Sequence, residues 1–172
     1  GSIDFTAAIT QVFSRAFAGS IHPAYHYLEF IPQHQEYLLG RTFPNPGGLI
    51  PFENFRLTVE VMNWKFPHLA RLGIVGSMPT VFWGEAYANF GIFGVFIIPF
   101  VVGVLIWSIS YLINRLENNP MKIGLLVWLI LHYKDLSITG FSGYIIDFNL
   151  IIVCTITIFA MAASNGLKIR YK

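Results

Sequence analysis

Glu85 stands at the head of an apolar run. From Phe90 to Ile113 the polar side chains are Ser108, Ser110 and Tyr111 alone, so Glu85 and Asn89 fall where water meets lipid. The two are one helical turn apart and can face the same cleft. A carboxylate there can take the proton of an attacking hydroxyl. His22 and His26 share the i, i+4 spacing of metal ligands, with Glu29 three residues after His26. The same spacing also fits a polar face at the membrane surface, and no metal is expected. Two arginines suit an anion: Arg15, set between Phe13 and Phe17, and Arg41, directly after Gly40. A guanidinium is a planar fork that pairs with phosphate oxygens and keeps its charge when partly buried. Either arginine can instead snorkel to lipid headgroups. The outer region also carries His34, Glu36, Glu53, Arg56, Glu60, Lys65, His68 and Arg71, and the apolar half adds Lys134, Asp135 and Asp147. Ionisable groups beside an apolar slab are costly unless paired or wet, which makes each a candidate. The sequence contains no His-Glu-x-x-His, no phosphate-binding P-loop and no Gly-x-Ser-x-Gly.

The elements that position these residues are expected to be helices. Hydropathy predicts an all-α polytopic membrane protein with about three spans, at residues 88–113, 120–136 and 144–163, after an extracytoplasmic region at 1–87. The pair Asn119-Pro120 is a good cap and first turn for the second span. Arg115 and Lys122 in the first connection, and Lys168, Arg170 and Lys172 in the tail, put both on the cytoplasmic side. The connection at 137–143 and the whole 1–87 region then lie outside. Residues 3–17 read as an amphipathic helix or the outer end of a preceding span, and short helices are expected at 23–30 and 33–39, broken at Pro32 and ended by Gly40. A loop is expected from Phe43, and residues 55–66 read as helix or strand. Gly84, Gly91, Gly94 and Gly103 read as points of close approach for a neighbouring helix or a polyprenyl chain.

Composition agrees with this reading. Of 172 residues 55% are hydrophobic and 12% charged, half the roughly 25% usual for soluble domains. A net charge of +2, with no basic stripe interleaved with aromatics, excludes a nucleic-acid partner. The single cysteine, Cys154, lies in an apolar run and reads as a small buried hydrophobe. A large outer region with no leading span suggests the C-terminal part of a larger polytopic protein, with further transmembrane helices upstream as partners.

Three segments carry a resemblance: Phe13-Ser14-Arg15-Ala16-Phe17, Pro23-Ala24-Tyr25-His26-Tyr27-Leu28-Glu29-Phe30, and Gly84-Glu85-Ala86-Tyr87-Ala88-Asn89-Phe90-Gly91-Ile92-Phe93-Gly94. In this order and position they resemble the C-terminal part of the Wzy-type oligosaccharide repeat-unit polymerases of bacterial O-antigen and capsule, over residues 11–163. The resemblance implies a glycosyltransferase without cofactor, multi-pass in the bacterial cytoplasmic membrane. It would join oligosaccharide units carried on undecaprenyl pyrophosphate at the outer face, beside a lipid bilayer and in partnership with a chain-length regulator. On that reading Arg15 and Arg41 meet the pyrophosphate, and Glu85, Glu29 or His26 is the base. Asn89 would bind substrate. Tyr25, Tyr27, Trp83 and Tyr87 stack on sugars or sit in the interfacial belt. An O-antigen ligase-like transferase shares the donor. A transporter or flippase segment is the non-enzymatic rival.

Overall fold

The structure is a computed structural model that describes residues 9–10, 21–48, 51–116 and 118–165. The described residues are helical and contain no strand. Of the 3–17 segment only residues 9–10 are described, and both are helical; Arg15 lies outside the described residues.

Helix α1, His22–Phe30, starts with Pro23 in its first turn. It stops because Ile31 precedes Pro32 and is held extended, at φ −108° and ψ 129°. Beyond it, residues 33–39 form a turn and an extended stretch in place of the expected helix. The region left open between helix and strand is helical: α2, Leu57–Lys65, ends at Phe66 before Pro67, and α3, Pro67–Arg71, restarts on that proline. Backbone bonds lace the intervening chain together. Phe55 N–H donates to Arg41 C=O at 2.8 Å, and Met78 N–H donates to Thr58 C=O at 2.9 Å.

Helix α4, Phe82–Asn114, is the longest element, and Gly91 breaks it at φ 64° and ψ −153°. That conformation is essentially open to glycine alone. The chain turns sharply there. In a straight helix residues 86 and 94 would be about 12 Å apart, yet a Cβ on Gly94 would overlap the Ala86 carbonyl. The break leaves carbonyls in need of donors. The chain after α1 supplies them: Leu38 N–H donates to Ala88 C=O and Leu39 N–H to Asn89 C=O, each at 3.0 Å. These bonds hold residues 36–39 out of a helix of their own.

Helix α5, Pro120–Lys134, is capped as expected, Asn119 Oδ1 accepting from Lys122 N–H at 2.8 Å. Lys122 is buried and its Nζ donates to the Asn114 and Leu116 carbonyls at 3.2 and 3.0 Å, tying off the end of α4. A short turn at Asp135–Ser137 leads to α6, Ser142–Ile145, and α7, Phe148–Asn165.

Two apolar cores result. One core joins α1 and α2 through Tyr27, Phe30, Leu57 and Val61. The other joins α4 to α5 through Ile98, Val102, Leu125 and Leu129. The first turns of α4 lie between them, with Ala86 in the second core and Ala88 in the first. Beyond Gly91 α4 exposes Phe93, Phe96 and Phe100, each more than 70% accessible. Phe82–Asn114 and Ser142–Ala160 are long and apolar enough to cross a membrane, which supports membrane association. Helix α5 has 15 residues, roughly 22 Å of helix against the about 30 Å of a hydrocarbon core.

Candidate functional site

A cavity of about 630 Å³ opens where the segments preceding α4 meet its first turns and the loop at 139–144. Half of its lining residues carry a hydroxyl, including Tyr27, Thr42, Thr80, Ser142 and Tyr144, and its charged lining residues among those described are Glu85 and Arg56. Few charges and many hydroxyls suit a polyhydroxylated ligand bearing an anionic group.

Glu85 is buried, 6% exposed, on the first turn of α4. Its Oε2 accepts from Ser142 N–H at 3.1 Å, across 57 residues of sequence. Tyr27 stands close by, donating from its hydroxyl to Met78 C=O at 2.8 Å. Burial first, and the Glu85 charge second, push the Tyr27 phenol above its ordinary value of 10.0. Tyr27 therefore stays neutral and serves as a donor. Arg56 is exposed on the residue that precedes α2, and it makes no ion pair among the described residues.

The other sequence-predicted residues fall elsewhere. Asn89 is fully buried and its amide is occupied: Oδ1 accepts from Gly40 N–H at 2.9 Å, and Nδ2 donates to Thr42 Oγ1 at 2.8 Å and to Glu85 C=O at 3.0 Å. It holds the 40–42 segment against α4 and is not among the cavity's lining residues. Arg41 lies over the Phe55 ring, 5.5 Å from the centroid. It is not a lining residue, although Thr42 and Phe55 on either side of it are. Glu29 and His26 do not line the cavity either. Glu29 accepts from Lys65 Nζ at 3.1 Å and lies 3.4 Å from His26 Nδ1. The Lys65 bond, then the His26 bond, holds the Glu29 carboxyl below its ordinary value. His26 is buried edge-on to His22, their centroids 5.0 Å apart. No group of three or more His, Cys, Asp or Glu side chains is placed to hold a metal among the described residues. Tyr25 is exposed, and Tyr87 packs edge-on against Tyr37 at 6.0 Å. Of the expected close approaches, Gly84 meets Thr80 and Ala24 of α1, while Gly103 faces open space.

Two features were not singled out in the sequence, where Arg56 and Asp147 stood only among the many charged candidates. Arg56 sits just ahead of a helix start, but nothing local distinguished it from the other outer charges. The second is a part-buried pair, His132 Nε2 with Asp147 Oδ2, between α5 and the start of α7. Trp128 stacks on the imidazole at 4.7 Å, and Tyr144 stands 4.9 Å from it. Asp147 Oδ1 also accepts from Leu150 N–H at 3.0 Å, capping α7. A lone histidine in an apolar helix was the available signal.

No protein-family model, no curated protein and no solved structure matches this chain.

Proposed function

We propose that the chain is part of a membrane glycosyltransferase of the repeat-unit polymerase type, acting on undecaprenyl-pyrophosphate-linked oligosaccharide at the outer face of the bacterial cytoplasmic membrane. The observation that carries this reading is one cavity holding a buried carboxylate, a free guanidinium and a hydroxyl-rich wall, at the head of an apolar helix. Glu85 takes the proton of the acceptor sugar hydroxyl as its oxygen bonds to the anomeric carbon of the donor glycan. The bond from that carbon to the pyrophosphate oxygen breaks, and the lipid pyrophosphate leaves. Arg56, with Arg15 and Arg41 as further candidates, offers charge to the departing phosphate oxygens. The exposed aromatic face of α4 meets lipid, so a polyprenyl-borne substrate reaches the cavity from the bilayer side. A ligase-like transferase would use the same groups.

The proposed topology has three spans, with residues 1–87 and 137–143 outside. A cysteine placed at Ser77 then reacts with an impermeant thiol reagent in intact cells, and one placed at Asn118 does not. The reverse pattern rejects an outer-face site. The chemical test is a gel ladder of surface polysaccharide from cells carrying Glu85→Gln or Arg56→Ala at matched protein level. Both variants are expected to shift the product toward a single repeat. A full ladder from Glu85→Gln removes the base from this reading.

The part-buried His132–Asp147 pair favours a second reading, a transporter or flippase segment, because ionisable groups between apolar helices often line a path. Both Asp147 oxygens are already engaged within the protein, which supports a structural clamp instead.

A further inference from the structure

Gly140 faces Glu85 so closely that no side chain fits between them. A Cβ built on Gly140 would overlap Glu85 Oε2 and stand 2.7 Å from Glu85 Cδ. The glycine is not there for its backbone, because its φ lies outside the left-handed range that Gly91 occupies. The requirement is for space alone. Two residues on, Ser142 N–H holds the same carboxylate oxygen at 3.1 Å. Between them Phe141 is fully buried and packs edge-on against Phe43, centroids 5.5 Å apart. The loop is thus pinned at its middle, and the movable partner in any collision is the end of the Glu85 side chain.

We infer that the loop at 139–143 sets the position of the Glu85 carboxylate, and that Gly140 is a positioning residue for it. Gly140 leaves the volume that the carboxylate occupies, Ser142 N–H fixes its direction, and the buried Phe141 ring keeps both in place. A methyl at position 140 drives the carboxylate off Ser142 and out of line with the cavity, while the loop itself holds. The functional part of this inference rests on the reading of Glu85 as the proton acceptor.

The test is a double-mutant cycle in the full-length protein in its native membranes. Gly140→Ala, Glu85→Asp and the pair are compared by thermal unfolding midpoint and by polymer formation against the concentration of the host's own lipid-linked repeat unit. Gly140→Ala is expected to lower the midpoint in the Glu85 background and to leave it nearly unchanged in the Glu85→Asp background, where the shorter side chain makes room. Polymer formation by Gly140→Ala is expected to fall about 10- to 100-fold in kcat with KM little altered, as for a misplaced catalytic group. The pair is expected to be no worse than Glu85→Asp alone, a non-additivity that independent sites do not show. Equal midpoint losses for Gly140→Ala in both backgrounds overturn the packing on which the inference stands. Coupled midpoints with unaltered polymer formation leave the packing intact, overturn the positioning role and count against Glu85 as the base.

Discussion

Two carboxylates, Glu85 and Asp147, are equally buried at 6% exposure, and their surroundings are opposite. Glu85 accepts one backbone N–H on the wall of a cavity lined with hydroxyls. Asp147 has one oxygen on His132 and the other on Leu150 N–H, with the stacked Trp128 ring and Tyr144 around the imidazole. A carboxylate has about four acceptor sites. At Glu85 the remaining capacity faces a cavity, and at Asp147 it faces packed side chains. Burial alone therefore does not mark a working acid or base. The distinction is whether the group's unused acceptor sites can reach a ligand.

The sharpest way to break the comparison is to delete each carboxylate. Asp147→Ala strands His132 beside apolar neighbours and removes the cap of α7. Leaving the His132 ring nitrogen without its partner costs about 1–3 kcal/mol, and a lost cap about 1 kcal/mol more. Asp147→Ala protein should be scarce in membranes, with a strongly lowered unfolding midpoint. Glu85→Ala gives up one neutral donor's bond to a carboxylate and gains space beside Gly140, so it should accumulate normally and fail in polymer formation. Comparable losses of folded protein would make Glu85 a second clamp and empty the cavity of its base.

A smaller effect is expected at the corner that presents Glu85 to the cavity. Gly91→Ala forces an ordinary residue into a glycine-only conformation, at about 1–3 kcal/mol, and sets its methyl 3.2 Å from the Tyr37 ring. Gly103 lies on the same helix beyond the corner, with open space around it. There alanine should gain roughly 0.5–1 kcal/mol of helix stability. Opposite signs in the unfolding midpoints of Gly91→Ala and Gly103→Ala would tie the cavity side of α4 to its break. Matching signs would mean that the helix tolerates continuing straight, and the Glu85 region would lose the geometry that separates it from Asp147.

What was legible in the sequence follows from the range of the interactions concerned. The helical class, the long apolar helix, the Asn119 cap and the end of α1 before Pro32 depend on composition or on neighbours a few residues away. The break at Gly91 was hidden because hydropathy registers an unbroken apolar run and carries no information about φ. In place of the helix expected at 33–39, Leu38 and Leu39 donate to the Ala88 and Asn89 carbonyls. Glu85 stood out at its boundary, but its partners Ser142 and Gly140 are more than fifty residues away, and Arg56 reaches the cavity only through the tertiary fold. Asn89 was visible for the right reason, a polar group at an apolar boundary. Its amide serves the backbone of the 40–42 segment, which no local pattern announces.

The smallest effect belongs to a third carboxylate, Glu29, which has partners without burial. Its side chain is 54% exposed and accepts from Lys65 at 3.1 Å. The Lys65 bond holds its carboxyl below the ordinary 4.5. A carboxylate with a lowered folded-state pKa contributes stability above its unfolded pKa, and loses it as pH falls through the folded one. The contribution is therefore present at neutral pH and disappears in acid. Exposed pairs of this kind are weak and are screened by salt. Lys65→Met should lower the unfolding midpoint slightly at pH 7 in low salt. The difference from the parent protein should shrink in high salt and vanish once Glu29 is protonated in both. Glu29→Gln should give a full polysaccharide ladder, because Glu29 lies off the cavity and its acceptor sites face water and Lys65. A single-repeat product from Glu29→Gln at normal protein level would move the base from the α4 cavity to the exposed face of α1. It would also show that solvent exposure, and not a cavity, is what a working carboxylate needs in this protein.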